Sequence, residues 1–341
     1  MSKEPSVCIC IPTFNSSGTL SETLTSILGQ TYRDISVIVV DNASVDSTVE
    51  IAESFAARDP RLMVSRHSEN IGAEGNFTRC ISLASGEYTA IYHADDLYAP
   101  EMVQEEVSFL EKNPGVGAVF TGARSIDADG KPGRVYSLPG GLAGTGPVYG
   151  FGAIFKTILK YGNFLFCPSA MVRTRIYRDH IKIWDAARYK TSADLDVWLR
   201  ILQCSDIGII STPLLSYRGA AETSFSYNAA RAKTSTHDIF LVLDHYASGA
   251  ARSLMGSAEQ KDYALLRLKD NINRAFNLAF LGNRREARRL LPGIFHAGNV
   301  VHALKSPTHL KVLLYGCAVL FFSFLPLPER VWGFVFRFRH G

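Results

Sequence analysis

Residues 36–44, Ser-Val-Ile-Val-Val-Asp-Asn-Ala-Ser, decide the fold. The β-branched run at 36–40 is too apolar to face water, which is typical of a parallel strand covered by helices on both faces. Helical spacing follows over 44–57, and the same alternation fills residues 5–127. It predicts strands at 7–11, 36–40, 62–65, 88–92 and 117–121 and helices at 19–30, 44–57, 74–84 and 100–112. Beyond residue 127 we expect one long loop at 129–152, strands at 164–172 and 207–217, and a helix hairpin at 281–291. We therefore expect an α/β domain with a mostly parallel, Rossmann-like sheet.

Composition excludes several classes of protein. The chain of 341 residues is 47% hydrophobic and 20% charged, so it can bury a large core and is not expected to be disordered. A net charge of +4 does not by itself indicate a nucleic-acid-binding protein. Six scattered cysteines without a C-x-x-C pair, and no recognisable signal peptide, predict reduced thiols in a cytoplasmic protein.

Polar residues follow four of the predicted strands. In open α/β sheets, ligands bind beyond the carboxyl ends of the strands, so these residues are expected to converge on one edge. They are Pro12-Thr13-Phe14-Asn15, Asp41-Asn42-Ala43-Ser44, His67-Ser68-Glu69-Asn70 and His93-Ala94-Asp95-Asp96.

Among these residues, Asp95 and Asp96 give the most specific indication of a functional site. Adjacent carboxylates repel each other unless a cation accompanies them, and Mg²⁺ or Mn²⁺ is commonly held by one or two carboxylates plus substrate phosphates. The alternative is a solvated turn, in which Asp is also common. The dipeptide alone does not decide between these two interpretations.

Several motifs follow one another in a fixed order along the chain. They are Ile11-Pro12-Thr13-Phe14-Asn15, Val39-Val40-Asp41-Asn42-Ala43-Ser44, Asn70-Ile71-Gly72, Ala94-Asp95-Asp96, Asp194-Leu195-Asp196-Val197-Trp198 and Ser216-Tyr217-Arg218. Taken together, they resemble family 2 glycosyltransferases over roughly residues 5–227. The resemblance implies a GT-A fold, a nucleotide-sugar half at about 5–127 and an acceptor half at 128–227.

The family implies roles for individual donor-site residues. Asp96 becomes the main ligand of Mg²⁺ or Mn²⁺, with Asp95 beside it near the ribose or sugar. Phe14 falls where an aromatic ring stacks on the base, and Asp41 falls where a carboxylate holds the nucleoside, although a turn or cap role is the alternative for Asp41. Pro12 and Asn70 complete the predicted donor-binding set.

Three positions depart from the family pattern. Ala193 stands in place of the usual Glu before Asp194. His93 stands where an acid is frequent, two residues before Asp95, and its role is left open. Asn42 stands where members that use uridine donors often carry a second Asp, so thymidine- and guanosine-linked sugars remain open as donors.

Asp194 is the candidate catalytic base on the acceptor side, by its match to the family's Glu-Asp motif. Inversion needs a carboxylate within hydrogen-bond reach of the acceptor hydroxyl. The alternative for Asp194 is a loosened capping box with Thr191, and Asp196 is the backup base. Arg218 can bind a donor phosphate or pair with a nearby acid.

The C-terminal third predicts a helical region at 228–305 and a tail at 306–341 that associates with a membrane. From Arg284 onward there are nine Lys/Arg and two Asp/Glu, a local net charge of +7 beside the most apolar stretch, 312–325. That stretch is shorter than the roughly 20 residues of a spanning helix. With the aromatic segment 331–338, it predicts a peripheral position on the inner face of the cell membrane. A buried helix pair and a true membrane span are the alternatives.

These features together predict an inverting, non-processive glycosyltransferase. Its partners would be a nucleotide-diphosphate sugar and a lipid-linked or glycan acceptor of cell-surface polysaccharide synthesis, such as O-antigen, capsule or exopolysaccharide. The Gln-x-x-Arg-Trp signature of processive synthases is absent. The alternatives are transfer to a polyprenyl phosphate and a non-catalytic nucleotide-sugar-binding role in polysaccharide assembly.

Overall fold

The computed structural model describes residues 5–142, 144, 146–218, 232–296, 299 and 306–325. The chain divides into two compact units, 1–158 with 163–220 and 159–162 with 221–341. The predicted domain boundaries at 227 and 305 lie outside the described residues and stay predictions.

A sheet of ten strands forms the centre of the first unit. Its main path runs β3-β2-β1-β4-β9-β6-β10-β5, with β7 paired to β6 and β8 to β10. The strands are β1 Val7–Thr13, β2 Ile35–Asp41, β3 Leu62–Arg66, β4 Tyr88–Ile91, β5 Leu97–Tyr98, β6 Val116–Ile126, β7 Pro132–Tyr136, β8 Val148–Tyr149, β9 Ala170–Arg173 and β10 Asp206–Arg218.

The described part of the first 220 residues contains six longer helices. They are α1 Leu20–Leu28, α2 Thr48–Ala56, α3 Gly72–Leu83, α4 Met102–Lys112, α5 Phe151–Tyr161 and α6 Ala193–Leu202. Helix α2 begins at Thr48, four residues later than predicted, because Asp46 accepts the Thr48 backbone N–H at 3.0 Å and keeps the preceding residues in a loop.

Strands β1 to β4 pair in parallel, as the apolar runs predict. β1 lies between β2 and β4, and its Val7–Ile11 side chains are buried. β9 then runs antiparallel between β4 and β6, with Val172 opposite Thr89 on one side and Ala118 on the other. The sheet is therefore mixed beyond β4, which local periodicity cannot reveal because pairing partners are distant in sequence.

Two predictions for the acceptor half need correction. The expected strand over 164–172 is shortened to β9, because Pro168 lacks an N–H and sits in a short 3₁₀ turn, Cys167–Ser169. The segment 129–152 was expected to be one long loop. It instead contains β7, which forms a hairpin with β6 closed at Gly130 (φ +78°), and β8, which pairs with β10.

The second unit is helical where it is described. Its helices are α7 Ile239–Ser248, α8 Ser257–Phe280, α9 Arg284–Arg289 and α10 Pro307–Phe322. Gly282 (φ +86°) turns the chain between α8 and α9, which gives the predicted helix hairpin.

Helix α10 buries one apolar face and exposes another. Leu313, Gly316 and Val319 are buried in the core of the second unit. Leu314 and Phe321 are 60% and 63% exposed. Within the described residues, no helix combines the length and apolarity that a membrane crossing requires. The aromatic segment 331–338 lies outside the described residues.

Candidate functional site

The strand ends converge on one cleft, as the sequence predicts. Its volume is about 570 Å³. It opens where β1, β2 and β4 end and α3 begins, and four predicted residues, Pro12, Phe14, Asn70 and Asp95, line it together with His93. The Phe14 ring is 46% exposed, which leaves a face free to stack on a planar ligand.

Asp41 lies behind the cleft and organises the loop after β2. Its carboxylate is fully buried and accepts hydrogen bonds from the Thr13 hydroxyl at 3.2 Å and from the Ser44 backbone N–H at 3.0 Å. The Ser44 hydroxyl donates to it as well. These bonds hold Ala43 in the left-handed region (φ +60°). This geometry matches the turn role that the sequence left open for Asp41.

Asn42 joins two of the loops at the cleft. Its amide donates to Asn70 Oδ1 at 2.9 Å and to the Gly72 carbonyl at 3.1 Å, and its own Oδ1 accepts from the Ile71 N–H at 2.9 Å. The sequence flagged Asn42 only for its donor preference and missed this role. An aspartate in its place would lack the two amide donors.

His93, Asp95 and Asp96 form one cluster at the end of β4. Among the described residues this is the group of His, Cys, Asp and Glu side chains that can hold a metal ion, with one ligand atom of each within 4.8 Å of the others. Asp96 is fully buried, and its Oδ2 finds no hydrogen-bond partner in the described part of the chain. Burial raises the pKa of Asp96 to about 7 and the charge of Asp95 adds to it, while Arg218 opposes the shift. A cation would relieve both the repulsion and the desolvation.

Arg218, at the end of β10, is hydrogen-bonded to Asp95 and Asp96 of the acidic cluster. Its backbone N–H donates to Asp96 Oδ1 at 2.7 Å, and its Nε donates to the Asp95 carbonyl at 2.8 Å. The guanidinium also donates to the carbonyls of Asp127 and Ala128 and pairs with Glu22 at 2.8 Å. The side chain is thus engaged by the protein itself, and phosphate binding by Arg218 stays a prediction.

Asp194 occupies the first turn of α6 and is half-buried. Its Oδ1 accepts the Leu195 N–H at 2.7 Å, and its Oδ2 accepts from the Asn163 amide at 3.3 Å. Burial raises the pKa of Asp194 to about 6, against the lowering effect of these bonds. The N-cap of α6 is Ser192 and not Thr191, so the helix does not start where the capping-box alternative requires.

Cys167 connects the two acidic sites electrostatically. Burial raises the pKa of its thiol, and the negative charges of Asp194 and then Asp96 add to the shift. Both carboxylates therefore lie close enough to Cys167 to influence its ionisation.

Asp196, two residues beyond Asp194 along α6, pairs with a side chain of the same helix. Its carboxylate is buried and pairs with Arg200 Nε at 2.8 Å. Arg200 in turn donates to the carbonyls of Ile181 and Ile183. Trp198, on the same helix, is buried in the core against Phe120.

The sequence missed an aromatic cluster on the acceptor side. Phe166 lies with its ring centroid 4.9 Å from Tyr136 and 5.4 Å from Tyr217. Burial raises the pKa of Tyr217, with further contributions from Asp96 and Asp95, so the cluster adjoins the acidic cluster. The only signal in the sequence was the position of Tyr217 at the end of a predicted strand.

The fold and the site together define a class. A carboxylate cluster and an exposed aromatic ring at the ligand edge of an α/β sheet, beside a second half with its own shielded carboxylate, are the parts of a GT-A glycosyltransferase. A family model described as glycosyl transferase family 2 matches residues 8–181, and the chain belongs to this family.

Individual relatives agree with that assignment. The putative glycosyltransferase EpsE of Bacillus subtilis (strain 168) is 30% identical over 207 residues, covering 60% of this chain and 69% of EpsE. S. aureus TarS 1–349 in complex with UDP-GlcNAc has a TM-score of 0.53 at 15% identity, covering 97% of this chain and 91% of that one. The mannosyltransferase PcManGT from Pyrobaculum calidifontis, in complex with GDP-Man and Mn²⁺, has a TM-score of 0.56 at 19% identity, covering 94% and 88%. At these identities the two structures establish the GT-A fold alone.

Proposed function

We propose that this glycosyltransferase moves a single sugar from a nucleotide-diphosphate donor to an acceptor hydroxyl, with inversion and with the help of Mg²⁺ or Mn²⁺. The observation that carries the proposal is the buried Asp96 oxygen without a hydrogen-bond partner among described residues, facing His93 and Asp95 at the edge of the cleft. A carboxylate in that state is costly unless a cation binds to it.

The donor half supplies binding and orientation. Phe14 offers its exposed ring to the base, and Pro12 and Asn70 line the same cleft. Asp41 and Asn42 support this surface from behind through the loop bonds described above. Asp95 and Asp96 would hold the divalent cation, which would supply positive charge to the departing diphosphate.

Asp194 acts as the general base in this proposal. It accepts the proton of the acceptor hydroxyl while that oxygen attacks the anomeric carbon, and the bond to the diphosphate breaks. A pKa of about 6 suits the task, because the carboxylate is ionised at neutral pH and is more basic than an ordinary aspartate. Asn163, bonded to Asp194 Oδ2, orients it.

The acceptor is proposed to be a lipid-linked or polysaccharide intermediate at the inner face of the cell membrane. Support comes from the exposed apolar residues of the α10 surface, Leu310, Leu314, Phe321 and Phe324, and from the local charge of +7 after residue 283. An apolar strip with basic surroundings suits an anionic lipid surface.

Calorimetry of UDP, dTDP and GDP, each with and without Mn²⁺, tests the donor site. We expect one nucleotide to bind tightly only with metal, and Asp96→Ala to abolish that binding. Glu53→Ala, which removes an exposed carboxylate of α2, is the control and should bind normally. Metal-independent binding, or none, would contradict the proposal and favour a non-catalytic role.

An acceptor screen with Asp194→Asn tests the chemistry. Loss of transfer supports base catalysis to a hydroxyl. Full activity of Asp194→Asn would instead favour a polyprenyl phosphate acceptor, whose phosphate oxygen is already ionised and needs no base.

A further inference from the structure

His93 is the residue of the acidic cluster that departs from the family pattern, and its surroundings are unusual. Its Nε2 is buried without a hydrogen-bond partner among the residues described. Its Nδ1 lies 3.9 Å from Asp96 Oδ2, which likewise has no partner in the described chain. That distance is too long for a hydrogen bond, so the imidazole nitrogen and the carboxylate oxygen face each other without being bonded.

The protein nevertheless holds His93 firmly. Its backbone N–H donates to the Tyr98 hydroxyl at 2.7 Å, and that hydroxyl donates back to the His93 carbonyl at 3.2 Å. Tyr98 is itself stacked on Tyr92, with ring centroids 4.0 Å apart. The edge of the imidazole meets the ring of Phe77, which packs on Trp184. A side chain so restrained is preorganised for a contact that the protein alone does not provide.

The spacing of the cluster matches one shared ion. Ligand atoms bound at about 2.1 Å from one cation lie roughly 3–4.2 Å apart, depending on the angle between them. The Nδ1–Oδ2 distance of 3.9 Å falls inside this range. The widest spacing in the cluster, 4.8 Å, needs an approach of about half an ångström, which exposed Asp95 can make by rotating its side chain.

We propose that His93 supplies an imidazole nitrogen to the cation at the donor site, beside Asp95 and Asp96, and thereby makes this enzyme favour Mn²⁺ and Co²⁺ over Mg²⁺. The inference rests on the proposed metal-dependent donor site. Its chemistry is general: Mg²⁺ prefers oxygen ligands, whereas imidazole binds the later first-row divalent ions more strongly. A carboxylate in place of the imidazole would add negative charge to the site but would not favour Mn²⁺ and Co²⁺ over Mg²⁺.

Electron spin-echo spectroscopy of the full chain with Mn²⁺ and the nucleotide that binds tests the assignment without an activity assay. We expect the modulation of a directly bound ¹⁴N nucleus in the wild type and its loss in both His93→Asp and His93→Gln. His67→Gln, which removes a half-buried imidazole directly after β3, should keep the signal.

Calorimetry supplies the second measurement. The ratio of Mn²⁺ to Mg²⁺ affinity, with nucleotide present, should fall by about tenfold or more in His93→Asp relative to the wild type. Metal-dependent nucleotide binding without the ¹⁴N signal, or with an unchanged ratio, overturns the role of His93 and leaves the donor site standing. Absence of metal-dependent binding in the wild type overturns both. The wild-type spectrum decides the matter even if the variants do not fold.

Discussion

Replacing Asp194 with Asn should make the protein more stable and less active at the same time. The fold raises the pKa of this carboxyl from 3.8 to about 6, so ionisation of Asp194 opposes folding. At pH 8 the side chain is ionised in both states, and the shift of about two pKa units corresponds to a penalty of about 3 kcal/mol. Asparagine has the same shape, keeps a carbonyl acceptor for the Leu195 N–H and does not ionise. It therefore removes this penalty and gives up only the long 3.3 Å bond from the Asn163 amide.

The size of the effect depends on pH in a defined way. Below pH 3.8 the carboxyl is neutral in both states, and the variant should match the wild type. The stability gained by Asp194→Asn should then grow as pH rises from about 4 to 6, reaching about 1.5 kcal/mol at pH 5 and levelling off near 3 kcal/mol above pH 7.

Urea unfolding between pH 4 and pH 8, followed by tryptophan fluorescence, measures this difference. Trp184 and Trp198 are both buried in the first unit, so in a Trp332→Phe background, which removes the third tryptophan, the signal follows the unit that contains Asp194. Asp59→Asn is a control of opposite sign, because the hydrogen bond from Arg61 lowers the pKa of Asp59. That variant should lose stability at pH 8. A stability gain for Asp194→Asn that is absent, or does not vary with pH, would refute the assignment of Asp194 as a desolvated carboxylate.

Three further results are expected. With the wild type, kcat/KM should fall about tenfold per pH unit below pH 6, because protonated Asp194 cannot accept a proton; a flat profile down to pH 5 would contradict its role. Arg200→Ala should cost about 3 kcal/mol in urea unfolding because it removes the charged partner of the buried Asp196 carboxylate, whereas Arg178→Ala, which breaks the exposed pair with Asp179, should change nothing measurable; equal effects would refute the structural role of the Arg200–Asp196 pair. Leu314→Ser with Phe321→Ser should weaken sedimentation with anionic lipid vesicles several-fold and leave nucleotide binding unchanged, while unaltered sedimentation would exclude the α10 surface as the lipid contact.

The donor half was predictable because its signals are local. Each strand is followed at once by its functional residues, so convergence of Phe14, Asn70 and Asp95 follows from parallel pairing alone. The roles of Asp41 and Asn42 were less accessible. Both use hydrogen bonds to residues in neighbouring loops, and a sequence pattern does not distinguish a carboxylate that binds ligand from one that closes a turn.

The acceptor half was harder to predict for a physical reason. The ring cluster of Tyr136, Phe166 and Tyr217 is assembled by β7, the chain before β9 and the end of β10, which are distant in sequence. Its formation depends on the antiparallel insertion of β9 between β4 and β6, a long-range pairing that carries no local periodicity.

Arg218 has a consequence for protein engineering. Exchanging acceptor halves between family members is an obvious route to new linkages, with a junction placed after the last donor-side strand. In this chain such a junction would separate Arg218 from Glu22 and Asp96, which lie far earlier in the sequence and are bonded to it. A chimaera that keeps Glu22 and Arg218 from a single parent should retain the proposed metal site. One whose residue 218 cannot bond to Glu22 and to the Asp95 carbonyl should hold that site less firmly, even though its carboxylates are unchanged.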